Sequence, residues 1–431
     1  MTSPALSLAT LLFLLPSMQS DNRLTPAERA LAGHVDAHND EALALLERVV
    51  NINSGTQNLE GVREVGRVFG AELDALGFTT RWVDGAAFKR AGHLVAEHPG
   101  PGPRILLIGH LDTVFEKDSP FQTFTRVDDR TARGPGIIDM KGGDVVMLSA
   151  LKALRASGAL TNMNLIVVMT GDEEDSGEPL ALARAALVAA AKGAQFAIGF
   201  EDGPGDPKVA VTARRGTTGW TLRVKGTPAH SSQIFREDIG YGAVFEIARI
   251  LNGFREQMAG QAHLTFNPGV MLGGTSVEFD GVQLRGAAFG KGNVIAEHAV
   301  ASGDLRALSR EQFDQARQTM EEIVRKSLPH TEAAITFDEG YPPMAPTEGN
   351  ARLLALYDQG SRDLGFGPVT AVSPDRAGAA DVSFVAGEVT SIIDGVGLMG
   401  HDDHTVNETA DLTTLPSQTK RMALLLLRLQ Q

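Results

Sequence analysis

The chain contains no cysteine in its 431 residues. That absence excludes disulfides and a thioether-linked lipid, and it restricts any metal site to His, Asp and Glu ligands. No Gly-x-Ser-x-Gly occurs, so the nucleophile elbow of a serine hydrolase is missing. Internal repeats and long low-complexity tracts are missing too. Positive charge is in deficit: 39 Lys and Arg stand against 53 Asp and Glu, a net charge of −14. Such acidity argues against nucleic acid or an anionic membrane as partner. Otherwise the composition, 43% hydrophobic and 21% charged, is that of an ordinary soluble globular protein. The length exceeds one usual core, so two domains are expected.

The N-terminus also lacks something. The apolar run from Ala5 to Leu15 is too short to span a bilayer, and no Lys or Arg precedes Arg23. Pro16 and small or polar residues follow, as after the apolar core of a secretory signal. A signal peptide over residues 1–20, an exported location (periplasm or medium) and no membrane anchor in the mature form are expected.

The most informative segment is Leu106-Leu107-Ile108-Gly109-His110-Leu111-Asp112. A strand-length apolar run delivers a His and an Asp two residues apart, on one side of an extended backbone. The imidazole can bind a metal while the acid beside it orients the ring. Alone, a His-x-Asp is more often a polar loop. Three further segments repeat the design. Asp139 stands in the Gly-rich turn Gly134–Gly143, Glu173 and Glu174 follow the apolar run 165–170, and Glu201 and Asp202 follow Phe196–Phe200. Acids and a His at strand ends mark where an open α/β sheet keeps its active site. Far downstream, Gly400–Glu408 adds His401 and His404.

With these motifs in this order, the chain resembles the M20 metallopeptidases, the group of glutamate carboxypeptidase, succinyl-diaminopimelate desuccinylase and aminoacylases. The similarity runs from about residue 35 to the C-terminus, through His-x-Asp, Gly-x-x-Asp-x-Lys-Gly-Gly, Glu-Glu and His-Thr-x-x-Glu. The glutamate-carboxypeptidase branch is nearest. The resemblance implies two zinc ions per chain: His110 and Glu201 on one, Glu174 and His404 on the other, Asp139 bridging. It places Asp112 behind His110 and makes Glu173 the base that takes a proton from water. Asp202 competes with Glu201, and His401 with His404; the first acid after the apolar run and the Thr405/Glu408 context favour Glu201 and His404. It further implies that His230, in Thr227-Pro228-Ala229-His230-Ser231, reaches the reacting carbonyl, often across a dimer. Arg306, in Asp304-Leu305-Arg306, and the loop around Gly378 would hold a substrate carboxylate. That loop is shorter here and has Ala where relatives have Gly.

The coarse pattern agrees with two units. Residues 24–212 alternate helix and strand, with helices expected over 59–77, 138–156 and 178–192 and buried strands over 104–109, 164–170 and 195–200. This predicts an α/β zinc-peptidase domain with a mixed, largely parallel sheet and helices on both faces. From Arg214 the character changes to half-exposed alternation over 219–226, helices over 237–259 and 309–327, and strands near 263–273 and 292–304. The expected division is a catalytic domain over 21–213 and 330–431, ending in a helix over 417–430. An inserted α+β lid or dimerisation domain, expected to form a homodimer, covers 214–329.

The function so implied is zinc-dependent cleavage of the amide bond to a C-terminal amino acid, glutamate first, from a small peptide or N-acyl amino acid. An N-acyl-amino-acid deacylase or dipeptidase would share every zinc ligand. A non-catalytic binding protein on the same fold is the alternative of another class, and the intact Glu173 argues against it.

Overall fold

The computed structural model describes residues 24–281 and 283–430. The expected signal peptide lies outside the described residues. No helix among them is long and apolar enough to cross a membrane.

A six-stranded sheet carries the larger unit, in the spatial order Thr79–Asp84, Gly92–His98, Asn164–Thr170, Arg104–His110, Phe196–Gly199, Ile392–Ile393. Strand 92–98 pairs antiparallel with both neighbours, and the three remaining pairings are parallel. The sheet is therefore mixed and largely parallel, as the sequence suggested. Its central strands read as unbroken apolar runs because both faces are covered. Alternation divides them: Ile105, Leu107, Leu165 and Val167 enter one core, while Leu106, Ile108, Ile166 and Val168 enter the other. Helices Pro26–Ala37, Asn39–Val50, Leu59–Ala75, Lys141–Ala156 and Thr414–Arg428 contribute to the first core. Helix Ala185–Ala191 and the 3-10 turn Asp381–Val385 contribute to the second.

A separate antiparallel sheet follows in the order Thr265–Gly274, His298–Ala307, Gly216–Gly226, Thr331–Phe337. Its core comes from Trp220, Leu222 and Val224 on alternate positions, packed against helices Gly242–Met258 and Arg310–Arg325. The expected α+β character is present, but the chain stays in this sheet to Phe337, past the boundary expected at 329. Pro329 ends a helix connection there rather than the unit, and the alternately buried strand after it completes the sheet. A hairpin, Ser276–Asp280 with Arg285–Phe289, extends from this unit.

Three strands aim the site residues. His110 is the last residue of strand 104–110, Glu173 and Glu174 lie just past Thr170, and Glu201 lies just past Gly199. All are at the carboxyl ends of adjacent parallel strands, where such sheets leave a crevice.

Candidate dinuclear metal centre

Asp139 connects the two halves of the site. Its Oδ1 lies 3.0 Å from His110 Nε2, and its Oδ2 lies 2.9 Å from His404 Nε2. Around these contacts stand two donor groups: His110, Asp139 and Glu201, and Asp139, Glu174 and His404. Glu201 Oε1 is 3.7 Å from His110 Nε2, and Glu174 Oε2 is 3.1 Å from His404 Nε2. The five expected ligands are thus brought together from segments up to 294 residues apart in sequence numbering, His110 to His404. Asp202 lines the same cavity but belongs to neither group, and exposed His401 stays out of both.

Asp112 does more than stand behind His110. It is fully buried, with Oδ1 3.5 Å from His110 Nδ1. Its carboxylate also accepts from Thr56 Oγ1 (2.7 Å) and from the backbone N–H groups of Glu173 and Glu174 (3.1 Å each). The backbone carbonyl of Asp112 lies 3.1 Å from His110 Nδ1, so one residue holds the His110 ring through its main chain and the loop of Glu173 and Glu174 through its carboxylate. Glu408, which the sequence supplied only as context for His404, is also fully buried. It accepts from the N–H groups of Gly136 and Ile138 (2.9 Å each) and Asp139 (3.3 Å), holding the turn that presents Asp139. Asp139 stands just before helix 141–156, where the helix dipole favours a carboxylate. His404 adopts φ 59, a left-handed conformation uncommon outside glycine. Thr405 closes that turn, its hydroxyl donating to Asp402 O (2.8 Å).

The electrostatics are those of a site with too many acids for its cations. Burial pushes Glu201 well above the carboxylate range, and Asp139 and Asp394 push in the same direction. Burial and Asp139 raise Glu174 to about 7. Hydrogen bonds accepted by the Asp139 and Glu174 carboxylates lift His404 to about 11. Burial and Glu201 raise Glu173 well above its ordinary value. Glu174 Oε1 is buried and has no hydrogen-bond partner among the described residues. An orphaned carboxylate oxygen on Glu174, in one donor group with Asp139 and His404, fits a divalent cation, whose charge would offset this repulsion.

A cavity of about 310 Å³ opens over these groups, lined by Glu173, Glu201, Arg214, Arg376, Gly378 and His404 among others. Glu173 faces it while belonging to neither donor group. Gly378 is where the sequence expected it, and its carbonyl accepts from Arg214 Nη1 (2.8 Å). The N–H groups of Gly378 and Ala379 have no acceptor among the described residues. Arg376, whose side chain the sequence reading did not use, is exposed at this cavity and free of any ion pair among the described residues. Arg306 is not brought there. It lies in the second sheet, paired with Asp304 at 2.8 Å. His230 also stays in the second unit, exposed, with Nδ1 2.8 Å from Ser232 Oγ. A larger hollow, about 950 Å³, opens between helix 185–191 and residues 337–343 and contains none of the donor groups.

Two three-donor groups sharing one carboxylate, at the mouth of a parallel sheet, define a hydrolase built around a candidate two-metal centre. The family model described as peptidase family M20/M25/M40 matches residues 106–428, and the chain belongs to that family. Among curated proteins it is 28% identical to carboxypeptidase G2 of Pseudomonas sp. (strain RS-16) over 395 residues, covering 89% of this chain and 88% of that one. Its fold is similar to aminopeptidase PepT of Bacillus cereus ATCC 10987, with TM-score 0.73, 17% identity and coverage of 91% and 99% of the two chains. The YXEP protein of Bacillus subtilis, described as a dinuclear metal binding peptidase from the M20 family, superposes with TM-score 0.62, 15% identity and coverage of 92% and 99%.

Proposed function

We propose that this metallopeptidase is a dizinc exopeptidase that frees the C-terminal amino acid of a small peptide or N-acyl amino acid, with glutamate the first candidate. The observation that carries the reading is Asp139, offering one oxygen to each of two donor groups while Glu173 faces the same cavity unengaged. Nitrogen and carboxylate donors without thiolate suit zinc, with His110, Glu201 and Asp139 on one ion and Glu174, His404 and Asp139 on the other. When bound, such a pair polarises the scissile carbonyl and acidifies water. Glu173 takes the proton as the water oxygen bonds to the carbonyl carbon, and returns it to the amine nitrogen as the C–N bond breaks.

At the other end of the substrate, the N–H groups of Gly378 and Ala379 and the Arg376 guanidinium, none of them paired among the described residues, suit a carboxylate. The cavity, about 310 Å³, is at the small end of the range for ligand sites, as a dipeptide-sized substrate requires. The carboxypeptidase named among the relatives supports this polarity of cleavage. A deacylase or dipeptidase would use the same metal ligands. Homodimerisation through the second unit is part of the proposal. Strand 265–274 is a sheet edge with Met271 exposed, and Phe245 and Phe289 are exposed on the same unit. Export follows from the N-terminal apolar run alone.

The test is a hydrolysis screen of N-acyl amino acids and dipeptides, with and without chelator, on enzyme of measured metal content. Activity abolished by chelator, restored by Zn²⁺ and best on substrates with a free C-terminal carboxylate is the expected result. Active enzyme without any transition metal would overturn the reading.

A further inference from the structure

The loop that carries Glu173 is also held by a residue from the crossing between the two units. Tyr341 follows the last strand of the second sheet, and its hydroxyl lies 2.8 Å from the carbonyl oxygen of Glu173. Arg184 Nη2 reaches the same hydroxyl at 2.8 Å and Ser176 Oγ at 3.0 Å. A guanidinium only donates, so the phenol oxygen accepts from Arg184, and its own proton is left to point at Glu173 O. The direction of that bond is fixed by chemistry. The ring is held as firmly: it meets Phe384 edge-on at 4.8 Å, and the Arg184 guanidinium lies over both rings. Arg184 is itself buried and locked between Asp172 (2.7 Å) and Asp381 (2.9 Å).

The backbone of Tyr341 belongs to the crossing. Its carbonyl accepts from Thr217 N (3.0 Å), and Met344 and Arg214 exchange a pair of bonds at 2.9 and 3.0 Å. The two chain segments that pass between the sheets are therefore paired with each other. Their approach is close: a Cβ on Gly216 would meet Tyr341 O at 2.6 Å, and one on Gly340 would meet Thr217 O at 2.0 Å. Glu173 is thus clamped at both ends of its residue, its N–H by Asp112 and its C=O by Tyr341. Its carboxylate has no hydrogen bond of its own among the described residues, so the backbone clamp decides where it stands.

We propose that Tyr341 is a positioning residue that ties the paired crossing segments to the Glu173 backbone, so that the geometry between the two units sets the place of the base. The proposal rests on the base role assigned to Glu173. Tyr341→Phe keeps the ring and removes only the hydroxyl. Loss of one hydrogen bond that acts through the base is expected to lower kcat about tenfold, with KM and metal content within about twofold of the parent. In a Glu173→Gln background the same change should cost nothing further in residual turnover, because its effect passes through the carboxylate already removed. A merely structural role would give the same loss in both backgrounds, and that result overturns the proposal, as does an unchanged kcat in Tyr341→Phe. If Glu173→Gln alone retains full turnover, the base assignment falls first, and the single variant separates that failure from this one. Should Tyr341→Phe not fold, Ser176→Ala removes a polar partner of the phenol oxygen, and a loss of about threefold that vanishes in the Glu173→Gln background is the expected outcome. Persistence of that loss overturns the proposal.

Discussion

Glu173 and Glu174 are adjacent in the chain and separate in placement. Glu174 reaches His404, whereas Glu173 joins neither donor group and faces the cavity. Glu173→Gln is expected to keep metal and fold while kcat falls at least about 10²-fold, the low end for general acid–base catalysis. Kinetics paired with elemental analysis checks both halves, and near-normal turnover would remove the assignment. Glu174→Gln should lose metal instead. Asp112 gives a second residue-scale expectation. Asp112→Ala keeps the backbone carbonyl at 3.1 Å from His110 Nδ1 but removes the carboxylate beside the ring and leaves the N–H groups of Glu173 and Glu174 without their acceptor, so metal affinity or activity should drop about 10- to 100-fold; titration with a competing chelator measures the first. At this scale the sequence was legible where a motif isolates one residue, as in His-x-Asp. Between Glu201 and Asp202, and between His401 and His404, it chose the first acid and the second histidine on context alone, because residues so close in the chain differ mainly in the direction their backbone aims them. The left-handed turn at Asp402 and His404 decides one of these choices, and no spacing rule carries that information.

Among the elements, the turn before helix 141–156 departs most usefully from expectation. Apolar periodicity suggested a helix from 138, yet the helix begins at Lys141 and residues 135–140 form turns. Glu408 takes three N–H groups of that turn, so Asp139 faces the cavity from outside the helix. The double glycine after Lys141 has its own reason: a Cβ on Gly143 would stand 1.9 Å from Phe200 O, where the helix start packs against the strand end carrying Glu201. Glu408→Ala should leave buried donors unpaired and cost about 2–3 kcal/mol of stability. Metal affinity should fall with it, since Asp139 loses its support. Denaturant unfolding of apo and metal-loaded protein separates the two effects, and a variant as stable as the parent would contradict this account. The three central strands of the main sheet were legible because they are apolar runs, whereas Thr79–Asp84, Gly92–His98 and Ile392–Ile393 were missed, the first two because polar residues interrupt them and the last because it is two residues long. The hairpin 276–289 was missed although Asp280-Gly281 between alternating segments is a turn signal. Helix 242–258 starts later than expected because Gly240 and Gly242 take φ of 81 and 73, which interrupts the helical path.

At the scale of the whole molecule, the second unit holds residues that its own chain does not bring to the metal centre. His230 is exposed, its ring bonded to Ser232 alone among the described residues, and it does not line the acidic cavity. Two arrangements would bring it there: closure of the second unit over its own site, or contribution from a partner subunit. They differ in a way a mixture can read. If His230 donates to the developing oxyanion, His230→Ala should lose roughly 10²–10³ in kcat with metal content unchanged. A homodimer of His230→Ala and a homodimer of Glu173→Gln would then both be nearly inactive. When subunits are exchanged, trans action gives half of the sites in each heterodimer both an intact Glu173 and an intact partner His230. Activity should then return to a definite fraction of wild type, about one quarter at equal mixing, since half of the dimers are hybrid and each has one complete site. Cis action leaves every site in the mixture short of one group, and no activity returns. Exchange is confirmed by a tag on one variant, so that the absence of rescue in proven heterodimers would place His230 over its own chain's site, and an unchanged kcat in His230→Ala alone would take it out of catalysis.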